Sequence, residues 1–257
     1  MIPAKSRSDF VTSLYSGIAL KGVLKWPILP VFIALSASLF LIVYVGLYSL
    51  LNLGITNQFV RGYTNVYPYY VVPSSLALVA LAFFLYFYLL SLTLEIKGML
   101  DSKVHRGMFT MMVATLYKYP KFLVASVFQL FVFIGGLILF VIPGFYLGTK
   151  TLFFSVASYS GDFTLYGALK ESNFTVSGSF LKCLYLLIAY FAIFVALVYT
   201  ISFADLSAMW DILFISVIVS FVSISFLSSS DTLYYIIKSQ SMYRRSPLIR
   251  QFLGNPI

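Results

Sequence analysis

One cysteine, one histidine and 8 acidic residues are all that 257 positions contain of three chemically versatile classes. The lone Cys183 excludes an intrachain disulfide, and the lone His105 removes the histidine clusters on which most zinc and copper sites depend. Charge is scarce altogether, at 10% of residues, where a soluble domain carries about 25%. The signatures of nucleotide and metal chemistry are missing as well. There is no phosphate-binding glycine loop, no GxGxxG between strand and helix, no HExxH and no cysteine pair. With no convergent acids and no histidine–acid pair to do chemistry, the expectation is a non-enzymatic protein with no cofactor and no metal.

What is abundant is apolar. Hydrophobic residues make up 61% of the chain and its mean hydropathy is +0.96, which places it in a bilayer rather than in water. The 26 Phe and 20 Tyr fit that setting, because Phe suits lipid and Tyr suits the membrane interface.

Apolar runs and their breakers divide the chain into six spans, at about 27–51, 72–95, 122–142, 144–161, 180–203 and 208–238. About 20 apolar residues at about 1.5 Å per residue cross the roughly 30 Å hydrocarbon core. The fourth run is short and contains Lys150, and the sixth is over-long. The first begins near Trp26 without a small-residue cleavage pattern, so it reads as a retained span and not as a removed leader. Between the third and fourth runs, Pro143 and Gly144 predict a tight helical hairpin, since Pro143 lacks an amide hydrogen and Gly144 tolerates positive φ. The expected fold is therefore all-α: a single polytopic integral membrane domain, residues 1–257, with six transmembrane helices.

Of the 17 basic residues, all but Arg61 and Lys150 fall on one side of this arrangement. The positive-inside rule makes that side, with both termini, cytoplasmic, and the membrane the cell (cytoplasmic) membrane. On the same side, residues 6–22, 103–119 and 162–178 are long enough for amphipathic helices. In the last of them Phe163, Tyr166 and Leu169 recur every three residues behind Asp162 as an N-cap. Such helices lie in the interface plane against anionic lipid headgroups. The net charge of +9 is accounted for in this way without nucleic acid, because the basic residues are scattered along membrane edges.

The order of elements carries a resemblance. Leu116-Tyr117-Lys118-Tyr119-Pro120-Lys121-Phe122 enters an apolar helix, and Ile142-Pro143-Gly144-Phe145-Tyr146-Leu147 forms the turn. Ala168-Leu169-Lys170-Glu171-Ser172 follows, then Gly178-Ser179-Phe180 enters the next span, and Leu233-Tyr234-Tyr235 closes the last. This pattern resembles a group of six-span prokaryotic membrane proteins similar to the membrane domain of some glycerophosphoryl diester phosphodiesterases and to the YciC-like inner-membrane proteins. Asn173 stands where that group commonly has an aromatic, and the soluble phosphodiesterase barrel is absent. The resemblance implies a fold and a location and brings no activity with it.

Three polar residues within the spans are candidates for a membrane site: Asp231, Gln129 and Lys150. Asp231 ends a stripe of Ser216, Ser220, Ser223 and Ser230, which reads either as a polar pathway or as close packing by small residues. Ala189, Ala192 and Ala196 form a similar stripe on the fifth span, and Gly135-Gly136 lies in the third. Gln129 needs a hydrogen-bond partner, and Lys150 either meets an anion or snorkels to the interface. Glu95 and Lys97 read as interfacial anchors. Asp162, Lys170, Glu171 and Lys182 could form a cytoplasmic latch that docks the short helix.

Two functions follow. The first is an accessory or scaffolding component of the membrane, contacting lipid and either a membrane-protein partner or further copies of itself. The alternative is a small transporter or channel for a lipid or amphiphilic solute, which requires a cavity reaching Asp231, Gln129 or Lys150.

Overall fold

The computed structural model describes residues 28–59, 68–102, 107–161, 163–202 and 208–245. Among these residues every regular element is helical: α1 (Ile28–Phe59), α2 (Pro68–Ser102), α3 (Met108–Leu139), α4 (Val141–Lys150), α5 (Phe154–Ser160), α6 (Leu165–Ser177), α7 (Phe180–Ser202) and α8 (Ala208–Arg245). Five of them are long and apolar enough to cross a membrane, over Leu29–Tyr48, Leu76–Leu100, Met108–Leu139, Phe180–Ile201 and Trp210–Gln240.

The fourth expected span, 144–161, is not one helix. It is α4 and α5 with a break at Thr151-Leu152-Phe153 between them. The expected interfacial helix at 103–119 is also redrawn, since from Met108 onward it is continuous with the third span through Pro120.

α1 packs on α2 and α8, and α3 packs on α2, α4 and α5. α4 runs against α7, α5 against α6 and α8, and α7 against α8. Among the most deeply buried large side chains, Phe122, Leu152, Phe153, Leu233 and Tyr234 lie on or beside α5 and the helices α3 and α8 that it meets.

The α3–α4 hairpin reverses at Phe140, whose φ of −160° and ψ of 137° are extended, and not at Pro143-Gly144 as expected. Pro143 sits in the first turn of α4, where a missing amide hydrogen leaves no hydrogen bond unmade. The glycine has a different task from the one its conformational freedom suggested. A Cβ on Gly144 would lie 2.6 Å from Leu137 N, and one on Gly136 would lie 2.6 Å from Gly144 Cα. Two glycines facing each other let the helices touch backbone to backbone. Gly135, by contrast, faces open space.

The cap of helix α6 lies two residues later than expected. Thr164, not Asp162, caps it, its Oγ1 accepting from Gly167 N at 3.2 Å. Asp162 itself lies outside the described residues, as do His105 and the segment 6–22. The buried face of α6 is Ala168, Ser172, Thr175 and Val176, at helical spacing, while Tyr166 is exposed. Phe163 and Leu169 of the three-residue period are partly buried against the core.

The serine stripe of α8 packs as small residues do. Ser216 and Ser220 are buried and return their hydroxyls to carbonyls one turn back, Ile212 O and Ser216 O, at 2.8 Å each. The alanine stripe of α7 does not form the expected contact, since Ala192 and Ala196 are exposed. α7 instead buries Cys183, Leu186, Leu187 and Tyr190.

Candidate functional site: two stacked chambers

The break in α4–α5 strips a buried stretch of backbone of its helical partners, and two distant side chains supply replacements. Ser172 on α6 accepts from Phe153 N at 3.2 Å and donates to Lys150 O at 3.1 Å, spanning the gap with one hydroxyl. Gln129 on α3 donates to Leu152 O at 3.4 Å while its Oε1 accepts from Ser155 at 3.1 Å. Backbone freed inside an apolar bundle has to be satisfied by protein in this way. Gln129 therefore has the neighbouring-helix partner that its position demanded.

The break sets the course of α5, and α5 helps to wall two chambers. The first is a cavity of about 480 Å³, lined by apolar side chains of α1, α2, α3, α7 and α8. Its few polar groups include Ser126, Gln129, Ser155 and Ser223. Ser223 accepts from the Tyr86 hydroxyl at 2.9 Å, and the Ser126 hydroxyl has no protein partner. A mainly apolar cavity of this size with a few polar groups is the usual form of a small-molecule site.

The second is a cleft of about 580 Å³ whose walls include Glu95, Lys118, Tyr159, Asp231 and Thr232. Two ion pairs brace it. Lys118 meets Glu95 at 3.0 Å and lies 4.9 Å above the Tyr159 ring, whose hydroxyl donates to the same Glu95 oxygen at 2.9 Å. Lys97 meets Asp231 at 2.7 Å and also donates to Ser228 O at 2.6 Å and Thr232 Oγ1 at 2.7 Å.

The chambers are stacked. On four helices the wall passes from the apolar chamber to the polar one in a single turn: Leu90 to Leu94 on α2, Phe122 to Lys118 on α3, Ser155 to Tyr159 on α5 and Leu227 to Asp231 on α8. One turn rises about 5.4 Å. The partition between them is the edge-to-face pair of Phe122 and Tyr159, with ring centroids 5.9 Å apart and both rings buried.

The three expected membrane-site residues are thus placed separately. Asp231 is on the wall of the polar cleft and Gln129 on that of the apolar chamber. Lys150 lines neither: its amine donates to Ser177 at 3.1 Å and lies near the rings of Tyr146 and Phe180. Of the expected latch residues, Glu171 has an ion-pair partner that the sequence did not suggest. Lys238 on α8 stands 3.6 Å from Glu171, donates to the Tyr234 hydroxyl at 3.0 Å and lies 5.5 Å from the Phe163 ring. Lys170 is exposed.

Glu95, Lys97, Lys118 and Tyr159 are the residues that sequence reasoning missed as a site. Their polar character within or beside apolar runs was the available signal, but their pairings join positions 23 to 134 residues apart. Among the described residues no group of His, Cys, Asp and Glu could hold a metal ion. No protein-family model matches the chain, and neither a curated protein nor a solved structure matches it.

Proposed function

We propose that this protein is a non-enzymatic integral membrane protein of the cytoplasmic membrane that takes up an amphiphile from the bilayer. In this reading the apolar chamber receives the hydrocarbon chain and the polar cleft receives the headgroup. The observation that carries it is the stacking of an apolar cavity of about 480 Å³ directly on a charged cleft of about 580 Å³, one helical turn apart on four helices. A chain that moves from the bilayer into the first chamber exchanges one apolar setting for another, so the fit of the chain and the polar contacts of its headgroup decide uptake. The ion-paired walls of the second supply the polar contacts that a headgroup needs. The distribution of Lys and Arg supports a cytoplasmic position for the charged cleft. Six-span membership of the group that residues 116–181 resemble is part of the same proposal.

The test is gentle extraction of the full chain from its own membrane, followed by native mass spectrometry. Retention of one amphiphile per chain through delipidating washes supports the reading, and flux of that amphiphile in liposomes then separates transport from storage. A delipidated chain that carries a second protein in fixed ratio would refute it in favour of a scaffold.

A further inference from the structure

The two lysines of the polar cleft differ in what they have left to give. An ammonium group has three N–H donors. Lys97 spends all three on Ser228 O, Asp231 and Thr232, and its side chain is 16% exposed. Lys118 makes one hydrogen bond, to Glu95, and its side chain is 39% exposed on the cleft wall. Two N–H donors of Lys118 are thus available to something that enters the cleft. Within each ion pair the charges cancel, so a single anion that engages Lys118 competes with Glu95 for one ammonium, and a dianion would bring a second charge with no cation to balance it. Immediately past Lys118, one turn along α3, Phe122 opens the apolar chamber.

Building on the amphiphile reading, we infer that Lys118 is the headgroup-binding cation of a site for amphiphiles with a monoanionic headgroup. That headgroup is a carboxylate, as in a free fatty acid, or a phosphodiester, as in a single-chain lysophospholipid. Both present one negative charge with oxygen acceptors for the two unused donors, and a charge-assisted contact of this kind is stronger than a neutral one. Lys97 holds the wall in place and does not take part in recognition.

The experiment uses the purified full chain in maltoside detergent and three probes that share one oleoyl chain: oleate, oleoyl lysophosphatidylglycerol and uncharged monoolein. Binding is read by native mass spectrometry across a titration. The expected result is that oleate or the lysolipid binds about tenfold or more tightly than monoolein. Which of the two binds better identifies the source of the anion. Lys118→Gln is expected to reduce the anionic probe to the level of monoolein, and Glu95→Gln, which removes the competing carboxylate, to tighten it by a similar factor. Opposite responses of two neighbouring variants are not a signature of misfolding. Equal binding of all three probes, unchanged in both variants, overturns the inference and leaves the amphiphile reading standing. Binding of none of them overturns both.

Discussion

Replacing Ser172 by Ala tests the account of the broken helix most directly. The hydroxyl accepts from Phe153 N–H at 3.2 Å and donates to Lys150 O at 3.1 Å, in a site where Ser172 is fully buried. Two net hydrogen bonds of about 1 kcal/mol each are lost, and a buried amide left without an acceptor adds about 1–3 kcal/mol. Bonds inside membrane bundles fall at the lower end of such ranges, averaging about 0.6 kcal/mol in one well-studied case. The expected destabilisation is therefore about 2–4 kcal/mol, or roughly 4–16 °C in Tm for a chain of this size. Ser158→Ala is the control, because Ser158 is equally buried but its hydroxyl returns to Ser155 O, 2.8 Å away on its own helix. Thermal unfolding of the purified chain in one detergent, at one heating rate, compares the two. If Ser172→Ala melts with Ser158→Ala, the hydroxyl is not what holds the break together and the reasoning fails.

Gly136→Ala and Gly144→Ala should each splay the α3–α4 hairpin and lose about 1–3 kcal/mol, since the added methyl meets backbone at 2.6 Å. Gly135→Ala, which faces open space, should be neutral or stabilising by up to about 1 kcal/mol; the same melting assay ranks all three. Lys97→Met removes the ion pair of Asp231, whose side chain is 11% exposed, and should cost up to about 3–5 kcal/mol. The double variant Lys97→Met with Asp231→Leu should recover most of that loss, and a double variant no better than the single one would refute the pairing. Glu171→Gln removes a pair at 3.6 Å whose side chains are 28% and 25% exposed. It should change stability by less than about 1 kcal/mol, with the difference shrinking as salt is raised.

Hydropathy made most of the framework legible, because a bilayer demands long apolar runs and the described residues include five that fold as single long helices. The break at Thr151-Leu152-Phe153 was not legible. No proline or glycine marks it, and what stabilises it is Ser172, about twenty positions away, together with Gln129 on another helix. The face of α6 that meets the bundle was not legible for a related reason. Aromatic residues at spacing three suggested one stripe, whereas contact with α5 selected the small residues Ala168 and Ser172. Asp231 was recognised as an oddity of the sixth span, but nothing along the chain indicated Lys97 as its partner, 134 positions earlier. Polar residues in a membrane segment announce themselves singly, and their pairing is a property of the packed bundle.

The three bonds of Lys97 have a mechanical consequence. All of their acceptors lie within five residues of α8, so sliding or rotating α8 against α2 by even one residue would break several at once. α1 packs on both helices, and the three together form a frame that resists shear. The partition side of the chambers is held differently: α5 is only seven residues long, with the break at one end and Gly161 at the other. Tyr159 on this segment is tied to α2 by its hydroxyl's bond to Glu95 at 2.9 Å, so the same side chain that separates the chambers also fastens the short helix to the frame.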